Sequence, residues 1–231
     1  MSVINYGFST DASGKAVCAV KQWPETGSTV GYLLFCFGTE PDPLSVCPDS
    51  HMRCLRKSEA QLQAALDTLF GGNVQADHAY IAANLSDIIQ RINSQIYDIS
   101  AFLGQSICIG GGITVVVRDQ FVTVPFGGGQ VYQWTQEKQL KRIGDPNPNR
   151  CIAVNPIGSG SKWTGKYWTG KLQPGTRLLT VSCLLADDTI TLDTIGQGSQ
   201  PESHDDTAAI LLRQLLEKQD LTPIGVLDLH F

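Results

Sequence analysis

Residues 107–134 read ICIGGGITVVVRDQFVTVPFGGGQVYQW, and this stretch decides the fold. Ile113 to Val117 is a short β-branched run that stops at Arg118 and Asp119. Such runs bounded by polar and glycine residues read as buried strands. The pattern as a whole is that of a β hairpin whose turn is Gly127-Gly128-Gly129, followed by Gln130, Val131 and Tyr132. A second glycine run, Gly110 to Gly112, precedes the strand. Neither run opens a helix with Lys-Ser/Thr, so neither is a P-loop, and both read as turn glycines.

Working outward, Val17 to Val20 and Tyr32 to Phe37 are apolar runs bounded by Pro and Gly, as expected of sandwich strands. Lys57 to Phe70 sets Leu62, Leu66 and Leu69 on one face and stops at Gly71-Gly72, which predicts a helix. Ala79 to Leu103 repeats Ile81, Leu85, Ile88, Ile92, Ile96, Ile99 and Leu103 at three- and four-residue spacing, a second and longer amphipathic helix. An apolar stripe of that length must pack on something, and a sheet is the available partner. Two helices with at least six strand-like segments predict an α+β sandwich flanked by helices. The pattern also permits a last helix over Ala208 to Lys218.

Composition sets the bounds. The 231 residues suffice for one domain spanning 1–231, and 42% hydrophobic against 17% charged residues is a globular balance. Seventeen basic against 22 acidic residues leave a net charge of -5, which argues against a general nucleic-acid binder. Met1 to Tyr6 carries neither a charged nor an apolar leader region, and no run approaches the roughly 20 apolar residues of a membrane helix. The expectation is a cytoplasmic protein without membrane contact. Seven cysteines, among them Cys18, Cys36, Cys108 and Cys183 in strand-like segments, read as reduced small hydrophobes.

The order of segments resembles that of the metal-dependent protein phosphatases, the PPM or type 2C family, in its bacterial form. Tyr6-Gly7-Phe8-Ser9-Thr10-Asp11 is similar to the family's opening strand, and Leu34-Phe35-Cys36-Phe37-Gly38 to the strand that ends in Asp-Gly. Ile92-Asn93-Ser94-Gln95-Ile96-Tyr97 resembles a family helix, Gly112 to Val117 the Gly-Thr-Thr strand, and Val122 to Tyr132 the Gly-Asp-Ser-Arg hairpin. Leu172 to Cys183 resembles the strand running toward Ser-Asp-Gly, and Asp205 to Leu212 the closing Asp-Asn-x-Thr strand, which would make Thr207 to Leu212 a strand. The resemblance implies a PPM-like β-sandwich in α-β-β-α layers.

It also implies two divalent ions held by aspartates, and those aspartates are missing from the matching positions. Lys15 to Pro24 contains no acidic residue where the family has Asn-Glu-Asp. The Asp-Gly pair reads Phe37-Gly38, the Gly-Asp-Ser aspartate reads Gly128, and the Ser-Asp-Gly aspartate reads Cys183. Asp205, with Asp206 beside it, alone matches a ligand position. Hard Mg²⁺ or Mn²⁺ needs an oxygen-rich cage, and a two-metal hydrolase needs its ions clamped about 3.5 to 4 Å apart. One carboxylate does not supply that. No metal or other cofactor is therefore expected unless Glu40, Asp42, Asp187 or Asp188 act as substitute ligands for Mn²⁺ or Mg²⁺.

Three local features carry chemistry of their own. Cys47, His51 and Cys54, with Cys36 or Cys18, have zinc-ligand chemistry, but without a Cys-x-x-Cys spacing they read more simply as a loop leading into the first helix. Trp163-Thr164-Gly165-Lys166 echoes as Trp168-Thr169-Gly170-Lys171 around Tyr167, a basic and aromatic set that reads either as a loop and edge strand over the core or as a partner surface. Ser203-His204-Asp205 holds triad side chains, but neighbours in sequence cannot converge as a triad does. The sequence thus predicts a catalytically inactive phosphatase-like domain that binds a Ser/Thr kinase or a phosphoprotein, with a divergent metal-dependent phosphatase as the alternative.

Overall fold

The computed structural model describes residues 5–10, 15–38, 49–71, 77–135, 140–144, 155–182, 213 and 225–231. Their order is β1 (Asn5–Thr10), β2 (Ala16–Trp23), β3 (Ser28–Gly38), α1 (Ser50–Phe70), α2 (His78–Leu103), β4 (Ile107–Val117), β5 (Gln120–Phe126), β6 (Gly129–Trp134), β7 (Leu140–Ile143), β8 (Trp168–Lys171), β9 (Arg177–Ser182) and β10 (Gly225–His230). The strands form two five-stranded sheets, β1-β10-β9-β6-β7 and β2-β3-β4-β5-β8, in which every strand pairing is antiparallel.

Alternation along β3 shows how the layers meet. Val30, Tyr32, Leu34 and Cys36 join α1 and α2 in one apolar cluster with Ile113, Val115, Val122 and Val124. The intervening Gly31 faces the other sheet, where an added Cβ would lie 2.7 Å from Leu227. Between the sheets, Val116, Phe121, Val131, Leu178, Leu227 and Leu229 pack together. Period-2 strands with both faces buried account for the near-continuous apolar runs in the sequence.

The two predicted helices are present, and α2 matches its predicted span to one residue. It opens with Asp77 accepting a hydrogen bond from the Tyr80 amide at 2.7 Å and closes on Gly104 in the left-handed region at φ 63°. Helix α1 begins at Ser50 rather than Lys57, so His51 and Cys54 sit in helical turns and not in a loop. His51, Leu55, Ser58, Leu62, Leu66 and Leu69 are its buried face at helical spacing.

Both glycine runs need correction. Gly127 and Gly128 do not turn a hairpin, because β5 pairs with β4 and β8 while β6 pairs with β7 and β9. The turn carries the chain from one sheet to the other, with φ of 56° and 87° at Gly127 and Gly128. Gly110 to Gly112 lie inside β4 and make no turn. Close backbone approach explains them: an added Cβ would lie 2.1 Å from the Gly127 oxygen at Gly110, and 1.9 Å from the Leu33 oxygen at Gly111.

The place between β1 and β9 is taken by Gly225–His230. The strand expected at 207–212 and the alternative helix at 208–218 fall largely outside the described residues.

Candidate functional site

The end of β3 and the inter-sheet turn come together at one end of the sandwich. Phe37 closes β3 opposite Cys108 of β4, and Gly110 sits opposite Phe35. Phe35 and Phe37, on the same strand face, hold their rings 5.7 Å apart. The Gly127 carbonyl approaches Gly110, and an added Cβ there would also lie 2.4 Å from the Phe35 ring. Gly129 passes so near β4 that a Cβ would meet the Gly111 oxygen at 1.9 Å. This mouth is therefore built from glycine backbone and phenyl rings.

His51, from the first turn of α1, reaches the same place. Its Nε2 lies 3.3 Å from where a Gly38 Cβ would be, and among the described residues that buried nitrogen has no hydrogen-bond partner. The sequence offered His51 as a zinc ligand beside Cys47 and Cys54. Cys47 lies outside the described residues, and among the described residues no three His, Cys, Asp or Glu side chains converge on a metal-sized site. Cys18, Cys54 and Cys108 are free thiols, and burial pushes all three up from the ordinary thiol range. Neutral thiols of this kind are packing groups rather than nucleophiles.

The aromatic and basic segment runs from the mouth side along the open edge of the second sheet. Its start is held by α2: the Trp163 amide donates to Gln90 Oε1 at 2.8 Å, and the Trp163 indole donates to the Asn155 carbonyl at 3.0 Å. Gly165 is required where the chain passes over the Trp163 ring, since a Cβ would lie 1.9 Å from it. Tyr167 is 49% exposed, Trp168 is half-buried, and Lys162, Lys166 and Lys171 are exposed. Among the described residues, strand β8 pairs with β5 alone and forms the edge of its sheet. Because Trp168 stands opposite Thr123 and Lys171 opposite Gln120, β8 lies toward the end of β5 away from Gly127. Mouth and strand edge are thus separate surfaces.

Two polar arrangements were not anticipated. Asn93 of α2, 1% exposed, accepts from the Gly158 amide at 2.8 Å and donates to the Gly160 carbonyl at 2.9 Å, pinning the segment that leads to Trp163. Its signal was a lone amide in an otherwise apolar helix stripe. On the other sheet, Asp228 is fully buried and holds both Arg177, through Nη2 and through Nε at 3.3 Å, and His230 at 2.9 Å. Adjacent antiparallel strands bring these together, since Arg177 stands directly opposite His230.

Solved structures share this fold over nearly their whole length. The serine/threonine phosphatase of S. agalactiae aligns with a TM-score of 0.73 at 13% identity, covering 99% of each chain. The Mycobacterium tuberculosis serine/threonine phosphatase PstP/Ppp gives 0.71 at 14% identity, covering 100% of this chain and 99% of that one. PppA, a key regulatory component of T6SS in Pseudomonas aeruginosa, gives 0.68 at 12% identity, covering 99% and 98%. The fold is that of the PPM phosphatases. No protein-family model matches the chain, and no curated protein matches it.

Within the PPM fold, the residues at the mouth can be tested against the ions the fold implies, since a PstP catalytic domain is a complex with two manganese ions. Phe37 and the adjacent Gly38 offer a phenyl ring and a glycine, and Gly128 offers backbone only. None of the three offers the carboxylate that clamps a hard divalent cation, which leaves backbone carbonyl oxygens as their donors. Cys183, Asp205 and Asp206 lie outside the described residues, as do Glu40, Asp42, Asp187 and Asp188. No helix among the described residues is long and apolar enough to cross a membrane.

Proposed function

We propose that this PPM-fold domain acts by binding rather than by hydrolysis, as a regulatory module in cytoplasmic Ser/Thr phospho-signalling. The observation that carries the reading is the chemistry of the mouth, where Phe37 and Gly128 stand at positions the resemblance assigns to metal-binding aspartates. A two-metal mechanism generates its nucleophile on ions clamped by carboxylates, and a phenyl ring there adds bulk without charge. The partner is a Ser/Thr kinase or a phosphoprotein. It engages the mouth or the Trp163, Lys166, Tyr167, Trp168 and Lys171 surface, where exposed lysines flank aromatic rings in a chain of net charge -5. Aromatic anchors beside cations are the usual composition of a binding hot spot.

The second reading, a divergent metal-dependent phosphatase, is favoured by the neighbours themselves, which are serine/threonine phosphatases. It requires Mn²⁺ or Mg²⁺ held by Glu40, Asp42, Asp187, Asp188, Asp205 or Asp206. Calorimetric titration of Mn²⁺ into chelator-treated protein, with phosphopeptide hydrolysis assayed on the same sample, separates the two. The binding reading expects neither saturable ion binding at millimolar metal nor turnover. Tight binding of two ions with turnover would replace it with the enzyme reading.

A further inference from the structure

The first turns of α1 and the last turns of α2 form an open cavity of about 130 Å³ at the surface, lined among the described residues by Ser50, Arg53, Cys54, Lys57, Ile99 and Leu103. It lies on the α1 face carrying residues 50, 53, 54 and 57, whereas His51 of the same helix is turned toward Gly38 and the mouth. Its lining is almost wholly apolar: Cys54 is buried, Ile99 and Leu103 are half-buried, and the Ser50 hydroxyl is already committed to Gln105 at 2.9 Å. A volume of about 150 Å³ with an apolar lining is enough for a body the size of benzene. One aromatic ring or a short branched chain is thus the body that fits.

The rim is cationic. Arg53 and Lys57 are one helical turn apart and both exposed, and among the described residues neither makes an ion pair or side-chain hydrogen bond. Nearby cations are already used, Arg56 by Glu59 and Lys21 by Asp67. Helix α1 has no acidic residue in its first turn, and Asp49 at its N-cap makes no side-chain capping bond. Burial pushes the Cys54 thiol up against the smaller opposing pull of Lys57, which keeps the floor uncharged at neutral pH.

We propose that this cavity binds a small apolar carboxylate, its hydrocarbon body against Cys54, Ile99 and Leu103 and its carboxylate between Arg53 and Lys57. Unpaired cations over an uncharged floor select the anion, and the carbon lining selects an apolar body over a hydrated ion. The site is independent of the mouth and of whether the domain hydrolyses anything.

The test uses the full chain with benzoate as probe, benzyl alcohol as its uncharged counterpart and inorganic phosphate as an anion without an apolar body, followed by NMR titration. Benzoate should saturate with a Kd on the order of 1 mM or tighter, with benzyl alcohol about tenfold weaker and phosphate not saturating. Leu103→Trp, which fills the cavity, should abolish benzoate binding. Lys57→Gln, at an exposed position, should weaken it about fivefold while leaving the urea midpoint unchanged, so a folding failure of the first variant leaves the second decisive. Absent saturation at about 10 mM benzoate, phosphate binding as well as benzoate, equal binding of benzyl alcohol, or indifference to Lys57→Gln would each overturn the proposal.

Discussion

Removing the Asn93 side chain is the sharpest test of how the helical layer holds the surface segment. Its amide bridges two backbone groups, the Gly158 N–H and the Gly160 carbonyl, from a position that is 1% exposed. In Asn93→Ala the Gly158 N–H stays buried with no acceptor, which costs about 1 to 3 kcal/mol, and the partly exposed Gly160 carbonyl loses a bond worth about 1 kcal/mol. Gly158 cannot shift easily to find another partner: it sits at φ 94°, and its neighbour Ile157 exchanges two 2.9 Å hydrogen bonds with Ile109 of β4. The total is about 2 to 4 kcal/mol, or a fall of about 5 to 15 °C in Tm for a chain of this size. Urea unfolding followed by far-UV circular dichroism measures the first quantity, and amide hydrogen exchange at Gly158 and Trp163 reports the second consequence, local release of the segment. Gln90→Ala removes the acceptor of the half-buried Trp163 amide together with two longer bonds that Gln90 Nε2 donates to Ser94 Oγ and the exposed Ser161 carbonyl, and should cost about 1 to 2 kcal/mol. A loss below 1 kcal/mol in Asn93→Ala, or unchanged exchange at Gly158, would refute the assignment of this residue as the pin.

Other perturbations separate equally well. Asp228→Ala leaves the buried Arg177 guanidinium without its carboxylate and should cost about 3 to 5 kcal/mol, whereas Asp98→Ala on the exposed face of α2 should fall within about 0.5 kcal/mol; equal effects in urea titration would count against the buried network. Alanine at three glycines should grade with geometry: Gly160→Ala, with open space, near zero; Gly104→Ala, at φ 63°, about 1 kcal/mol; Gly129→Ala, 1.9 Å from the Gly111 oxygen, about 3 kcal/mol or more, and a flat series would disprove the close approach. Burial raises the thiols of Cys18, Cys54 and Cys108 and pushes the Tyr32 phenol up to about 12, the latter against an opposing hydrogen bond from Gln63. Acids whose folded pKa is raised contribute stability that is complete below their unfolded pKa and is lost as pH rises. Urea midpoints should therefore fall from about pH 8.5 through pH 12, and a midpoint constant across that window would contradict the burial of these groups.

What the sequence made legible follows from how local the physics is. Helix α2 was readable because its stripe is strict and both ends carry caps, Asp77 and Gly104. The first two turns of α1 were hidden because His51 and Cys54 drew attention as ligands while serving as part of a buried helix face. The glycine turn was correctly placed and wrongly explained: local residues specify that the chain bends at Gly127, but whether β6 returns beside β5 or joins the other sheet is decided by distant pairing with β7 and β9. Similarly, the Gly110 to Gly112 run answers to Leu33 and Gly127, contacts that no window around residue 111 contains. Phe37, Gly38 and Gly128 could be named from the order of motifs in the sequence, while the approach of His51 to Gly38 depends on the packing of α1 and could not.

The position of the closing strand bears directly on the choice between the two functional readings. The resemblance places an aspartate at the opening of the strand that completes the first sheet, and Asp205 was chosen by taking that strand as 207–212. Gly225–His230 is the strand between β1 and β9, with its Leu227 and Leu229 against Gly31 across the sandwich. The residues that lead into it, 220–224, read Asp-Leu-Thr-Pro-Ile, so the acid in that place along the chain is Asp220. If Mn²⁺ titration were to detect ions, Asp220→Asn should weaken their binding at least about tenfold while Asp205→Asn leaves it unchanged, because loss of a direct carboxylate ligand removes a charge from the coordination sphere. A single acid still leaves no carboxylate at Phe37 or Gly128, and so the non-hydrolytic reading expects parent, Asp220→Asn and Asp205→Asn to give the same flat titration. Ion binding lost in Asp205→Asn instead would restore the earlier placement of the strand motif and defeat the register drawn from β10.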